Sequence, residues 1–278
     1  MHLILTGATG LVGSAVLDAM LKTKDISKIS ILSRRAVKMA EDAQDPRVHV
    51  IIHKDFAKYD DPAVLKQLQD ADGCVWALGI AQEQVSRDDY IKITKDFALA
   101  AATAFSSAIA AQSSNNNNTD PDRQQSGRPF RFVYVAGGLT TTQPGRFTPF
   151  QARVKGEAEV GLAKIFGSKQ DPSPGSRSMR GYSVRPYAVD MEGHDAITPY
   201  VAPRPYSHRV AGYFLTGPIR RFAKDYWAPT QQLGPFLVEL AMGRYENPAE
   251  VGVTKGIEVL DGGFTIWEND ALRKVRGF

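Results

Sequence analysis

The segment Leu3-Ile4-Leu5-Thr6-Gly7-Ala8-Thr9-Gly10-Leu11-Val12-Gly13 constrains this chain more than any other stretch. The apolar residues read as a buried strand and the glycines as a turn. Leu11, Val12, Ala15, Val16, Ala19 and Met20 then repeat on one face of a helix. Gly7 permits the tight turn, Gly10 lets backbone N–H groups approach a pyrophosphate, and Gly13 lets the helix lie close to the strand. A strand, glycine turn and helix in this order predict a dinucleotide pocket. The competing reading is a glycine turn that serves only helix–sheet packing.

Further strands are expected over residues 29–32, 48–53, 73–78, 130–136 and 182–189, each followed by a crossover, with a late strand over 257–260. The Ala-rich residues 97–111 read as a long helix on the sheet, since they are too few to span a bilayer. The predicted fold class is therefore α/β, a doubly wound parallel sheet of Rossmann type with a small C-terminal substrate-side region. Residues 1–190 form the nucleotide-binding core and 191–278 a substrate or lid region of the same domain. Two polar stretches, about 112–127 and 167–178, interrupt the pattern as mobile insertions that should tolerate shortening. Residues 199–227 mix five Lys/Arg with aromatics and read as a lid, a membrane-surface patch or an amphipathic helix with a solvated basic face. Thr230 reads as the N-cap of a helix over 233–242.

With 278 residues and 43% hydrophobic content the chain can bury a full core. A formal charge of +4 is too mild to signal nucleic-acid binding and suits an anionic cofactor. Cys74 is the only cysteine, so no internal disulfide can form; a reducing compartment and a core thiol follow. No apolar run reaches bilayer length, and Met1-His2-Leu3 enters the first strand without a charged leader, which predicts a soluble, cytoplasmic protein.

The second strand ends in Ser33-Arg34-Arg35, where an NAD enzyme carries an acidic residue for the ribose 2′-hydroxyl. Guanidinium groups instead attract a 2′-phosphate, so NADP(H) is the expected cofactor. Two surface arginines after a strand are the plainer alternative. Topology puts Asp55 and Phe56 beside the adenine, and Ala77, Leu78 and Gly79 beneath the cofactor's ribose.

Thr6 to Gly13, Ser33-Arg34-Arg35, Val133-Tyr-Val-Ala-Gly-Gly138, Lys155-Gly-Glu-Ala-Glu159 and Val184-Arg-Pro186 occur in that order. On these motifs the chain resembles the atypical short-chain dehydrogenase/reductases, most of all the Tat-interacting-protein-like and fungal nucleoside-diphosphate-sugar-epimerase-like members. The resemblance covers residues 1–190 well and the rest loosely. It implies a Rossmann fold and NADP(H) chemistry, with Lys155 on the nicotinamide ribose and Pro186 on the nicotinamide side. It also implies a Tyr four residues before the lysine and a Ser after the fifth strand. This chain has Gln151 at the first position and Ala136-Gly137-Gly138 around the second, so neither hydroxyl is present.

Thr140 and Tyr187 are the candidate substitutes, as a loop hydroxyl near the substrate and a displaced proton donor. A polar loop residue and an aromatic pocket wall are their plainer roles. Tyr90, His194 and Asp195 are weaker candidates, and the spacing of His194 and Asp195 suits no metal set. Three functions stay open: an NADP(H)-dependent oxidoreductase on a small organic substrate; a non-redox isomerase, dehydratase or cyclase in the same pocket; and a non-catalytic NADP(H)-sensing protein. A homodimer is compatible with any of them.

Overall fold

A computed structural model describes residues 1–114, 128–167, 177–202 and 223–278. Alternating side chains along β1 (His2–Thr6) serve two separate cores, which is why every residue of the strand is buried. Leu3 and Leu5 pack against Val16, Leu17 and Met20 of helix α1 (Leu11–Lys22), whereas Ile4 joins Cys74, Trp76 and Phe132 on the opposite face. The buried Cys74 is thus a core thiol.

The chain continues through β2 (Lys28–Ser33), α2 (Lys38–Ala43), β3 (Val48–Ile52), α3 (Pro62–Leu68) and β4 (Gly73–Trp76). Helix α4 (Arg87–Ile91) runs through a π turn (Lys92–Asp96) into α5 (Phe97–Ser114), and β5 (Phe130–Val135), α6 (Phe150–Gly167) and β6 (Met179–Arg185) follow. Short β7 (Ala188–Asp190) and β8 (Trp227–Pro229) pair apart from the main sheet, and α7 (Thr230–Met242), β9 (Ile257–Val259), β10 (Thr265–Glu268) and α8 (Asn269–Arg276) complete the chain.

Among the described residues the main sheet has the order β3-β2-β1-β4-β5-β6-β10-β9, parallel except for β9. The chain reverses its direction of travel between β1 and β4, and a crevice opens there at the carboxyl ends of the strands. Helices α1 and α7 cover one face, and α5 and α6 the other.

Several sequence expectations change. The strand expected over 182–189 breaks at Pro186, which has no N–H for the ladder, so β6 ends at Arg185 and residues 188–190 pair with β8 instead. Thr230 is the first residue of α7 and does not cap it; its hydroxyl bonds the His194 ring at 2.9 Å. β10 was not expected at all, yet it pairs with β6 and inserts between β6 and β9. The two expected insertions begin later than anticipated, since α5 runs to Ser114 and Gly167 still belongs to α6. Their remainder at 115–127 and 168–176, and most of the basic aromatic stretch at 203–222, lie outside the described residues. No helix among the described residues is long and apolar enough to cross a membrane.

Buried histidines make the fold sensitive to acid. His2 is 1% exposed, with Nδ1 2.9 Å from Asp70 Oδ1 and Nε2 2.8 Å from Ser30 Oγ. Burial lowers its pKa, and burial lowers that of His53 as well. A lowered folded-state value means that the unfolded chain binds the proton more readily. The stabilisation is therefore present above the unfolded histidine value near 6.5 and is lost as pH falls below it. One such proton contributes at most about 1.4 kcal/mol per pH unit, or roughly 2–4 °C in a chain of this size. The Tm is expected to drop by a few degrees between pH 7 and pH 5, and by less in His2→Gln. Identical declines in both proteins, followed by scanning calorimetry, would remove His2 from the cause.

Candidate cofactor cleft

The glycine turn is built as tightly as its sequence implies. Gly7 has φ +72°, and a Cβ there would stand 2.4 Å from the Ala77 carbonyl oxygen; a Cβ at Gly13 would stand 2.0 Å from that of Gly7. Neither position tolerates a side chain without backbone movement. Gly10 N–H donates to Gly7 O at 2.9 Å, and α1 begins at the next residue, so its first free N–H groups face the crevice.

A cleft of about 420 Å³ runs from this turn across the strand ends. Gly10, Leu11 and Val12 form one end, Ala77, Leu78 and Gly79 its floor, and Lys155, Pro186 and Tyr187 the far end. Three separate sequence motifs therefore converge on one space. Thr94, Tyr134 and Val189 also line it, none of them singled out from the sequence. Thr94 lies on the π turn, and its carbonyl accepts the Tyr134 hydroxyl at 3.0 Å. Only the convergence of two distant elements makes this pair visible.

Lys155, on α6, is half-buried and makes no hydrogen bond with any described residue. Burial lowers its pKa, opposed by the charge of Glu159 one turn along. Gln151 is exposed on the same helix. Within Ala136-Gly137-Gly138, where the serine position falls, a Cβ on Gly138 would meet the Tyr187 ring at 2.3 Å, so the tyrosine occupies the space a side chain at Gly138 would take. Gly138 N–H also donates to Pro186 O at 2.6 Å, tying the loop after β5 to the end of β6. Tyr187 packs edge-on against Tyr226 at 5.0 Å, and burial raises its pKa, which keeps the phenol protonated.

A second, smaller cleft of about 280 Å³ lies on the other side of the glycine turn. Thr9, Arg35, Lys38 and Tyr200 are among its walls. Ser33 and Arg34 lie nearby in sequence but are not part of that wall; Ser33 Oγ accepts the Arg35 N–H at 3.4 Å. Lys38 pairs with Asp42 at 2.8 Å, an exposed contact of little energetic weight.

Other expected residues lie elsewhere. Phe56 is 2% exposed and packs on His53, Trp76 and Phe97, so its side chain belongs to the core. Asp55 is exposed and accepts the Ala57 N–H. Thr140 is buried and is not part of the cleft wall. Tyr90 is also buried, edged by Phe150. His194 bridges Asp18 of α1 and Thr230 of α7, away from the cleft, and Asp195 is exposed.

Comparison with known proteins agrees with this architecture. No family model matches the chain. Leucinostatins biosynthesis cluster protein T from Purpureocillium lilacinum is 32% identical over 259 residues, covering 87% of this chain and 85% of that protein. The chain belongs to the family of that protein and has the short-chain dehydrogenase/reductase fold. Botcinic acid biosynthesis cluster B protein 16 from Botryotinia fuckeliana is 39% identical over 148 residues, which cover 53% of this chain and 87% of its own length. Among solved structures, a short-chain dehydrogenase/reductase family protein superposes with a TM-score of 0.59 at 15% identity, covering 97% of this chain and 96% of its own. L-sorbose reductase from Gluconobacter frateurii, solved with NADPH and L-sorbose, gives 0.58 at 15% identity and covers 86% and 89%. At such identities these structures speak for the fold alone. The expected Rossmann architecture is thus observed, and the sheet order carries it.

Proposed function

We propose that this chain is an NADP(H)-dependent oxidoreductase acting on a small organic substrate. The observation that carries the reading is the pair of clefts flanking the glycine turn, one walled by Arg35 and Lys38 and the other ending at Lys155. The first suits a 2′-phosphate and adenosine. The second suits the nicotinamide half, with the helix N-terminus between them for the pyrophosphate. The residues fit the cofactor: side chains at Gly7 and Gly13 would drive into neighbouring backbone and disrupt the turn, Gly10 leaves the helix N-terminus open, and Lys155 lines the cleft.

When bound, NADPH supplies a hydride. The protein's part is to orient and polarise. Lys155 donates to the hydroxyls of the nicotinamide ribose, and Pro186 closes the pocket on the nicotinamide side. The Tyr187 phenol, kept protonated by its surroundings, donates to the substrate oxygen from the cleft mouth. Thr140 is buried, and its hydroxyl has no hydrogen-bond partner among the described residues. Both curated relatives are named for biosynthesis clusters, which fits a substrate that is a biosynthetic intermediate.

The exposed Gln151 and the side-chain-free Gly138 favour a second reading, a non-redox isomerisation, dehydration or cyclisation in the same pocket. Following NADPH absorbance against a panel of carbonyl and enoyl compounds separates the two. Cofactor consumption matched by product supports the oxidoreductase; product formed with NADPH unchanged selects the non-redox enzyme.

A further inference from the structure

Behind the cleft, Glu159 is completely buried and committed to several partners. It accepts Ser183 Oγ at 2.7 Å and Arg185 Nε at 3.0 Å on one oxygen, and Arg185 Nη2 on the other. Arg185, itself 4% exposed, donates its remaining nitrogen to Glu268 at 2.6 Å and Glu258 at 3.3 Å. Glu258 in turn accepts the Thr142 hydroxyl at 3.0 Å. Burial works against the Arg185 charge, yet its bonds to Glu159 and Glu268 hold its pKa above the ordinary value. Burial raises that of Glu159 against the pull of Arg185 and Ser183.

The placement of these partners matters. Glu159 stands one helical turn after Lys155, and Arg185 stands two residues before Tyr187. Thr142 belongs to the loop that begins at Gly137, and Glu258 and Glu268 come from β9 and β10. Tyr187 is held again by its own N–H, which donates to Asn269 Oδ1 at 3.3 Å. A bidentate arginine on a buried carboxylate fixes both distance and angle, and a lysine in its place would fix neither. An apolar pair of equal volume would seal this interior at no greater cost, so stability alone does not call for an ion network here.

We infer that Glu159 and Arg185 are positioning residues, which hold the Lys155 helix and the Tyr187 turn in fixed register at the far end of the cleft. In this frame the charge that bears on Lys155 is that of Glu159 on its own helix, and Tyr134 from β5 and Tyr187 from the end of β6 share its cleft; Arg185 acts on the lysine through Glu159, with Glu258 and Glu268 as the other partners of Arg185. Glu159 therefore sets the field at the Lys155 amine while Arg185 limits how much of its charge the lysine receives.

The test is the pH profile of Lys155 reductive methylation by formaldehyde and cyanoborohydride, read by peptide mass spectrometry on the intact protein. In the unmodified protein the Lys155 midpoint lies below the ordinary lysine value. Glu159→Gln moves it lower by about 0.5 or more on the pH scale, because the attracting charge is gone. Arg185→Lys moves it higher, because the carboxylate is less fully claimed, and Glu159→Asp recovers most of the original profile. A folded Glu159→Gln or Arg185→Lys protein with an unmoved midpoint overturns the inference. If neither variant folds, the unmodified protein decides: a Lys155 midpoint at the ordinary lysine value also overturns it. NADPH affinity measured alongside is expected to fall three- to tenfold in both variants. That readout rests on the proposed function, whereas the labelling does not. Shifted midpoints in a protein that never binds NADPH would retire the cofactor reading and leave the positioning role. Firm NADPH binding with unmoved midpoints would do the reverse.

Discussion

Arg35→Ala combined with Lys38→Ala is expected to weaken NADPH binding by roughly ten- to a hundredfold while leaving NADH within about twofold. Hydrogen bonds to a charged partner contribute about 1.5–3 kcal/mol each, and 1.4 kcal/mol is a factor of ten in affinity. Both side chains are exposed at the rim of the small cleft, so water screens part of that energy and the range is set low for two cations. NADH has no phosphate for them to meet. Arg34→Ala is expected to be milder than Arg35→Ala, since Arg34 is not part of the cleft wall. Calorimetric titration of both cofactors against each variant measures this. Equal affinities for NADPH and NADH in the unmodified protein would overturn the assignment of this cleft to the 2′-phosphate.

What the sequence made legible was what depends on neighbours along the chain. The glycine turn is such a case: strand, turn and helix lie within one short segment, and the Gly13 clash is with the carbonyl of Gly7 six residues back, although that of Gly7 is with the distant Ala77. The parallel sheet followed from repeated apolar runs for a similar reason. Convergence was harder to read. Lys38 was passed over because its exposure on α2 gives no apolar or spacing signal, and it gains meaning only where Thr9 and Tyr200 meet it in space. The Gly138–Tyr187 contact joins two segments in which neither residue type announces the other. β10 is only Thr265–Glu268, bounded by glycines on one side and a helix on the other, and nothing local says that it pairs with β6.

The same division explains the missing hydroxyls. From the sequence, Gly138 and Gln151 look like simple losses. In the fold the first is a substitution of volume: the Tyr187 ring fills the space over Gly138, so restoring a serine there would displace the ring. The second leaves an exposed amide on α6 and a lysine with no tyrosine to tune. Whatever polarises the substrate must then come from another element at this end of the cleft, and Tyr187 after β6 is the hydroxyl that lines it there.

Lys155→Ala is accordingly expected to cost NADPH affinity itself, by roughly tenfold or more, with any turnover falling in step. The amine has no hydrogen bond to a described residue, so its removal breaks no internal hydrogen bond among them, and most of the lost affinity is that of one or two charge-assisted bonds to the bound cofactor. Lys155→Met, which keeps the volume of the chain against the cleft wall, separates lost bonds from lost packing and is expected to behave like the alanine variant. Gln151→Ala is expected to change affinity and turnover by less than about twofold, because the amide is exposed and is not part of the cleft wall. If Gln151→Ala abolished turnover at unchanged NADPH affinity, the amide would be acting on the substrate directly. The division of labour argued above, with the lysine on the cofactor and Tyr187 on the substrate, would then be wrong.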